Sequence, residues 1–300
     1  GIFALAARGG VFNGGGRKTD ESLDLTGCIS LACLVCCLIV SLVHAGDWGV
    51  FSFKGLFFPG AGILAGLVFV RNARRSPSPL FDLKLLEIRL FVMPLVASLV
   101  LFMALFTLIF MMPFYLSLAC GFSPAQTGMT MIVPFLFLIV VSPVSGSLAD
   151  RLGSRGLCGA GMGCLALALF LLGGLTPEQG LLNVLLRLAL AGFGTAMFIS
   201  PNAAVIMGAV PADRRGIASG AVATARNLGM VMGVAISSSI FTYTFTRLAP
   251  GGGLDQFQPE MTPLFMAGFR RVMLAGAFMA GLGVFITFAR GAENKACQKN

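Results

Sequence analysis

Three cysteines are the side chains whose spacing first suggests chemistry. Cys33, Cys36 and Cys37 lie within a single apolar run. Thiolates at this spacing can bind soft metal ions, but metal ligands also need polar groups that orient them. The run from 25 to 43 contains no histidine and no acidic residue. We therefore expect these cysteines to pack between helices, and we predict no metal site and no cofactor.

The sequence also gives little support for a catalytic site. His44 is the single histidine of the chain and lies at a helix end, which is a poor basis for a Ser-His-Asp triad. Histidine, cysteine and carboxylate residues do not cluster in the sequence as a reactive centre would require. The sequence therefore predicts no catalytic residue, and a membrane-embedded enzyme is the weakest of the possible functions.

Two arginines stand out because they fall inside apolar stretches. A charge at the centre of a bilayer costs about 2.5–3.5 kcal/mol or more, so such residues usually face the interior of a helix bundle. For Arg187 the simpler explanation is that its side chain snorkels to the membrane surface. Arg226, with Asn227 beside it, suggests a functional site or an ion pair that changes with conformational state. Asn227 and Asn202 could equally serve only as hydrogen bonds between helices.

A charged turn forms another candidate. It combines two glycines, which let helices approach closely, with one acid and two arginines: Gly146, Asp150, Arg151, Gly153 and Arg155. Asp150 could cap the helix that follows and complement its dipole, while the arginines would face the anionic inner leaflet. An ordinary basic turn with a helix cap explains the same residues.

The amino-acid composition indicates the class of protein to which these candidate residues belong. Hydrophobic residues make up 57% of the 300-residue chain and charged residues only 11%, with a mean hydropathy of +0.91. A soluble domain carries about 25% charged residues, and a disordered chain carries few apolar ones, so both classes are excluded. What remains is an all-α polytopic membrane protein. The net charge of +9 then bears on membrane orientation and not on nucleic-acid binding, and we predict no nucleic-acid partner.

Eight transmembrane helices are predicted. A helix needs about 20 mostly apolar residues to cross a bilayer, and charged residues and turn signals delimit such stretches. The last six spans are expected to form one bundle over 91–290, after a two-helix hairpin at 27–71 and a basic linker at 72–90. Residues 1–26 would be the end of a preceding helix and a linker, and residues 291–300 a tail. The spans cover approximately 25–46, 55–70, 91–118, 127–148, 156–177, 181–210, 216–244 and 269–289.

The positive charges indicate how these helices are oriented. Cytoplasmic loops carry an excess of lysine and arginine. With eight spans, 15 of the 21 basic residues fall on the side that holds both chain ends, and four fall on the other side. Both ends are therefore expected in the cytoplasm. Because the chain begins with Gly1, and its first apolar segment ends at Arg8, we expect a fragment of a longer protein.

Several motifs resemble one family of transporters. The turn at 146–155 resembles the G-x-L-A-D-R-x-G-R-[KR] loop of the major facilitator superfamily, with Ser154 in place of the first basic residue of the closing pair. Further segments resemble, in the same order, the late helices and loops of the 14-helix drug:proton antiporters of the EmrB/QacA type. These segments are 24–27, 121–128, 200–211, 215–220 and 224–236.

This resemblance implies a major facilitator fold, of which the chain would be the C-terminal portion. The first two spans would be helices seven and eight, and the six-helix bundle would be helices nine to fourteen. It implies proton-coupled efflux of lipophilic drugs or other small amphipathic compounds across the cell membrane. The partners would be the lipid bilayer, a small lipophilic substrate, protons and the N-terminal half. The acids that couple transport to protons in this family lie mainly in that half, and no acid lies deep in a span here.

The resemblance also implies a substrate cavity between the two halves, lined by the third, fourth, sixth and seventh spans. An aromatic stripe is more often part of a core or of a lipid-facing surface than of a substrate cavity. Glycines at small-xxx-small spacing predict close helix contacts, at Gly216, Gly220, Gly229 and Gly233. A non-transporting membrane scaffold or a degenerate half-carrier is the alternative function. The candidates for the cavity are Phe110, Phe114, Tyr115, Phe135, Asn202, Arg226 and Asn227.

Overall fold

The computed structural model describes residues 25–43, 52–75, 85, 87–248 and 259–291. Within these ranges the chain forms eight α-helices and no strand. Predictions for residues 1–24, for His44, for most of the linker from 76 to 86 and for the tail from 292 lie outside the described residues. The helices are α1 (Leu25–Val43), α2 (Phe53–Arg75), α3 (Arg89–Phe114), α4 (Pro124–Leu152), α5 (Ser154–Gly173), α6 (Leu181–Gly208), α7 (Arg215–Leu248) and α8 (Thr262–Ala289).

Seven of these helices are long and apolar enough to cross a membrane, and α1 contributes a shorter apolar stretch from Thr26 to Ser41. The predicted all-α, multi-pass membrane fold is therefore confirmed. The predicted spans end at charged residues, and some helices continue past these predicted ends. α8 begins at Thr262, well before the predicted start at 269, so Arg270 and Arg271 lie within the helix and not at its end.

Local sequence explains where α4 and α5 begin. Ser123 and Gln126 form a capping box: the Ser123 hydroxyl accepts from the Gln126 backbone N–H at 3.3 Å, and the Gln126 side chain accepts from the Ser123 N–H at 2.9 Å. Pro124 follows as the first helical residue, where its missing N–H costs nothing. Between α4 and α5 only Gly153 intervenes, and its φ of +89° is a conformation that other residues rarely adopt.

The core of the bundle lies among α3, α5, α6 and α8. α3 packs mainly against α7 and α8, α5 packs against α6 and α8, and α4 packs mainly against α6. Leucine, methionine and phenylalanine side chains fill the centre, including Leu108, Met162, Leu188 and Phe269, all of which are fully buried. α1 and α2 pack against each other, and α1 also touches α7.

The contacts repeat between the two halves of this bundle. α3 packs on α7 and α8, and in the same way α6 packs on α4 and α5. The first unit is α3 to α5 and the second is α6 to α8. If their helices are matched in order, each unit makes the same contacts with the other. An internal repeat of this kind is typical of transporter folds. Each three-helix unit buries its surface on the other, so the six helices form one body.

α7 approaches α3 through two glycines. A Cβ atom at Gly229 would lie 2.4 Å from the Leu99 carbonyl oxygen, and one at Gly233 would lie 2.3 Å from the Met103 carbonyl oxygen. Only glycine fits where two helix backbones come this close. One turn beyond, the Ser237 hydroxyl donates to the Thr107 hydroxyl across the same interface, with an oxygen–oxygen distance of 3.1 Å.

Candidate functional site

The turn between α4 and α5 is the first predicted site. Gly146 lies against α6, where an added Cβ would come 2.9 Å from the Ser200 hydroxyl. Arg151 is exposed. The Arg155 guanidinium donates to the carbonyl of Phe288 near the end of α8, and its carbon lies 5.5 Å from the centre of the Phe288 ring. Asp150 belongs to α4, but its side chain lies outside the described residues.

A second arginine reinforces this junction from the opposite direction. Arg290, directly after α8, is only 1% exposed. Its Nη2 donates to the Ser154 hydroxyl at 2.7 Å, and its Nη1 lies 3.9 Å from the Cys158 sulfur. Arg155 and Arg290 thus each reach across to the other helix. Sequence reasoning counted Arg290 only as a positive charge. A basic residue followed by Gly291, whose φ is +91°, is a signal for a helix C-terminus but not for burial.

The four aromatic candidates separate in the structure. Phe110 and Phe114 form an edge-to-face pair with ring centres 5.5 Å apart. Tyr115, the next residue, is fully buried, stacks on Phe269 at 5.0 Å and donates its hydroxyl to the Thr176 carbonyl at 3.0 Å. Phe135 is exposed on α4. The structure therefore brings only Phe110 and Phe114 together.

A π-helical turn begins at Tyr115, and Phe114 and Tyr115 point apart because successive residues of a helix face different directions. Residues Tyr115–Ala119 form a π-helix after α3, and the Cys120 N–H donates to the Tyr115 carbonyl at 3.1 Å. The wider turn admits an extra residue, so the side chains after it rotate relative to an α-helix. Pro113, which removes a backbone donor, lies two residues before the π-helix begins.

Phe110 and Phe114 line a small pocket of about 50 Å³ between α3, α7 and α8. Its other lining residues are Met111, Ser238, Phe241, Thr242 and Phe265. None of these five was a sequence candidate. Only the packing of α7 and α8 on α3 brings them together, so no local pattern in the sequence could have selected them.

Asn202 is a buried polar link between α6 and α3. Its side-chain nitrogen donates to the Pro94 carbonyl at 2.9 Å and to the Ser98 hydroxyl at 2.8 Å. Its Oδ1 accepts no hydrogen bond from any described residue. Asn202 is 2% exposed, so it lies inside the bundle and not on an open surface.

The two arginines within spans have different surroundings. Arg187 donates to the Leu171 carbonyl in the last turn of α5, at 2.6 Å, where a cation complements the helix dipole. Arg226 and its neighbour Asn227 are exposed on α7. No hydrogen bond or ion pair joins either of them to another residue in the described ranges.

The predicted packing glycines also divide into two pairs. Gly229 and Gly233 lie against the backbone of α3. A Cβ at Gly216 or Gly220 would meet no described atom within 4 Å. A helix partner for these two positions stays a prediction.

Replacing Asn202 by alanine is expected to destabilise the bundle by about 1 kcal/mol, because a hydrogen bond between membrane helices contributes about that much or less. The melting temperature of the purified protein in detergent would measure the loss. The matched control is Asn227→Ala, which removes an exposed amide of the same type and should leave the melting temperature unchanged. Equal effects of the two substitutions would show that the link to α3 contributes no stability.

Comparison with known proteins adds a family context. The model of the Major Facilitator Superfamily matches residues 25–234. The chain is 30% identical over 225 residues to the multidrug resistance protein Stp of Mycobacterium tuberculosis, which covers 75% of this chain and 42% of that protein. It is 27% identical over 265 residues to the tetracenomycin C resistance and export protein of Streptomyces glaucescens, covering 87% and 48%. It is 26% identical over 232 residues to the riboflavin transporter RibZ of Clostridioides difficile, covering 76% and 49%. The alignments thus span less than half the length of each relative.

Proposed function

The chain belongs to the Major Facilitator Superfamily, whose members are transporters and not enzymes, and from this premise we propose that it is the C-terminal portion of a drug exporter of the 14-helix EmrB/QacA type. The observation that carries the proposal is the alignment of proteins named for drug resistance and export over 75% and 87% of this chain. The proposed substrates are lipophilic drugs or other small amphipathic compounds. The proposed location is the cell membrane, with both ends of this chain in the cytoplasm.

The exposed faces of α4 and α7 support a second half of the transporter as partner. α4 leaves Ile132, Leu136 and Ile139 exposed, and α7 leaves Arg226 and Asn227 exposed. An arginine at this depth would be costly in contact with lipid, but not in a water-filled cavity between two halves. We place the N-terminal half against this surface. Transport would then follow from rocking of the two halves around a site near the middle of the membrane.

Proton coupling is proposed to reside outside this chain. A proton-coupled carrier needs a titratable group that reaches both water phases, usually a carboxylate. The sequence has no aspartate or glutamate within the apolar parts of α3 to α8. We therefore expect the coupling acid in the N-terminal half, and we expect this chain to contribute the substrate cavity and the gating turn.

An efflux assay on the native gene product tests this proposal. The intact mass of the protein from its own host would show whether about six further helices accompany this chain, as in other superfamily transporters. Efflux of lipophilic dyes, measured in cells that overproduce the protein, should stop when an uncoupler removes the proton gradient. A native protein that consists of this chain alone and exports no dye would favour the scaffold or degenerate half-carrier.

Asp150→Asn is expected to slow efflux about tenfold, because we propose that Asp150 and its neighbouring arginines form a latch that holds the cytoplasmic side closed; a tenfold change corresponds to about 1.4 kcal/mol. The initial rate of dye efflux in cells with equal protein levels measures the effect. Glu178→Gln, at an exposed turn after α5, is the control and should leave the rate unchanged. An unchanged rate in Asp150→Asn would remove the latch from the mechanism.

A further inference from the structure

We propose that Arg271 of α8, together with Thr244 and Arg247 of α7, binds the headgroup phosphate of an anionic phospholipid, whose acyl chains lie along the exposed apolar side of α8. The inference does not depend on the export of drugs, and the proposed orientation of the helices serves only to place this lipid in the outer leaflet. It follows from the membrane level of the arginines, from the contacts that hold them, and from the apolar stripe beside them.

Arg271 lies where α8 passes out of the hydrocarbon core of the membrane. α5 has 20 residues, so it is about 30 Å long, which is the thickness of that core. Its last residue, Gly173, lies against α8, where an added Cβ would be 3.6 Å from the Arg270 carbonyl oxygen. After Arg271, the 18 residues from 272 to 289 carry no charge, which corresponds to about 27 Å of helix. Both lengths place Arg271 at the boundary between acyl chains and headgroup phosphates.

The contacts of Thr244 and Tyr243 hold the two guanidinium groups. Arg271 Nη1 donates to the Thr244 hydroxyl at 3.3 Å, and Thr244 is 1% exposed, so this hydrogen bond holds the Arg271 side chain against α7. Arg247 follows Thr244 by three residues, which places it on the same side of α7, in the last turn of the helix. Its guanidinium carbon lies 4.7 Å from the centre of the Tyr243 ring. A guanidinium group has five N–H donors, so both arginines keep donors for a ligand.

The charges at this site call for an anion. Neither arginine forms an ion pair with any acid that the structure describes. The described acid nearest to Arg271 in sequence is Glu260, which is exposed in the short turn before α8. Guanidinium groups bind phosphate oxygens through paired hydrogen bonds, and basic pockets between transmembrane helices bind lipid headgroups. Tyr243 is 57% exposed, and tyrosine is enriched at the same level of a membrane. The anions present at that level are headgroup phosphates, so a phospholipid is the ligand that these charges select.

An apolar stripe continues from Arg271 along the exposed side of α8. Four large apolar side chains recur every three or four residues and therefore share one face of the helix. They are between 37% and 74% exposed, and they are Leu274, Phe278, Leu282 and Phe285. An added Cβ at Gly281 would meet no described atom within 4 Å, so the stripe has a notch there. One leaflet of hydrocarbon is about 15 Å thick, the length of helix from Arg271 to Gly281. An acyl chain of a lipid bound at Arg271 can therefore lie on this stripe.

The test is a lipid titration of the native protein, purified in detergent and freed of bound lipid, with native mass spectrometry as the measurement. Two probes with identical acyl chains are compared: dioleoylphosphatidylglycerol, which is anionic, and dioleoylphosphatidylcholine, which is zwitterionic. We expect the first phosphatidylglycerol to bind about tenfold more tightly than phosphatidylcholine. Arg271→Gln should weaken phosphatidylglycerol binding about tenfold, the effect of one lost hydrogen bond to a charged group. Arg271→Lys keeps the charge and should restore part of the affinity.

The acyl chain contact is tested by Phe278→Ala. This variant should weaken the binding of both lipids by the same factor, about threefold, because it removes apolar contact and leaves the charges in place. The control is Phe137→Ala, which removes a ring that is 38% exposed on α4 and should leave lipid binding unchanged. If the two variants bind lipid equally well, the acyl chains do not lie on the stripe of α8.

Arg270→Gln is the matched control for the headgroup. It removes an exposed charge directly beside Arg271, but no hydrogen bond links Arg270 to α7 in the described part of the chain. This variant should bind phosphatidylglycerol as the unaltered protein does. Equal affinity for the two lipids, or equal losses in Arg270→Gln and Arg271→Gln, would overturn the inference. Competition by millimolar glycerol phosphate would indicate a site for free anions and would also overturn it. None of these results depends on dye efflux, so the lipid site and the export function can fail separately.

Discussion

Replacing Gly233 by alanine is expected to lower the stability of the bundle by about 1–3 kcal/mol, the usual cost of overpacking a tight interface. The added methyl group would lie 2.3 Å from the Met103 carbonyl oxygen and 3.0 Å from its carbonyl carbon and Cα. These are backbone atoms, so no side-chain rotation relieves the collision and α7 must move away from α3. Helix association in a membrane depends on such close packing, because lipid offers no hydrophobic driving force.

The experiment compares Gly233→Ala with Gly220→Ala on the same helix. Alanine favours a helix over glycine by about 1 kcal/mol, and both variants receive this gain. At Gly220 no described atom lies within 4 Å of the new carbon, so stability should stay equal or rise. Thermal unfolding in detergent and the yield of monodisperse protein would measure both. If Gly233→Ala is as stable as Gly220→Ala, the close contact between α7 and α3 is not a source of stability.

Replacing Arg290 by alanine is expected to open the junction between α5 and α8 at a cost of about 1.5–3 kcal/mol, the range for a hydrogen bond to a charged group. Arg290 is fully buried, and its loss leaves the Ser154 hydroxyl without this donor and a void beside Cys158. Arg290→Lys should give an intermediate loss, because an ammonium group cannot reach two partners in the fixed geometry of a guanidinium. Melting temperature and protease sensitivity of the turn between α4 and α5 would report the change.

The control for Arg290 is Arg270→Ala, which removes an exposed charge from α8. Isolated surface charges contribute little to stability, so this variant should unfold at the temperature of the unaltered protein. Equal melting temperatures for Arg290→Ala and Arg270→Ala would show that burial of Arg290 does not hold α5 and α8 together.

The sequence predicted the fold well because helices in a membrane need long apolar runs, and those are visible without a structure. It predicted residues of the candidate site less completely. The small-xxx-small spacing indicates a face that can approach another helix, but it does not identify the partner. Two glycine pairs therefore look alike in sequence: Gly229 with Gly233, and Gly216 with Gly220. Only the first pair contacts α3 among the described residues.

Two further residues show why contacts between distant segments escape prediction. Arg290 looks like a terminal positive charge, and its burial depends on the meeting of α8 with α5, more than a hundred residues earlier in the chain. Tyr115 looks like part of the same aromatic run as Phe114, but it lies on the next face of the helix and is buried against Phe269 of α8. The roles of the candidate residues in transport stay predictions.

The repeated contacts between the two three-helix units have a consequence for biogenesis. α3 leaves the ribosome first among the six helices, yet it packs mainly on α7 and α8, which are made last. Insertion into lipid can precede association of helices. We therefore expect α3 to lie in the bilayer without its main partners while the next three helices are synthesised. The Thr107 hydroxyl of α3 donates to the Met103 carbonyl of the same helix, so this polar group has a hydrogen bond before α7 and α8 are inserted. Assembly of the bundle therefore completes only when α8 is inserted, and a chain that stops before α8 would leave the surface of α3 that packs on α8 open to other membrane proteins.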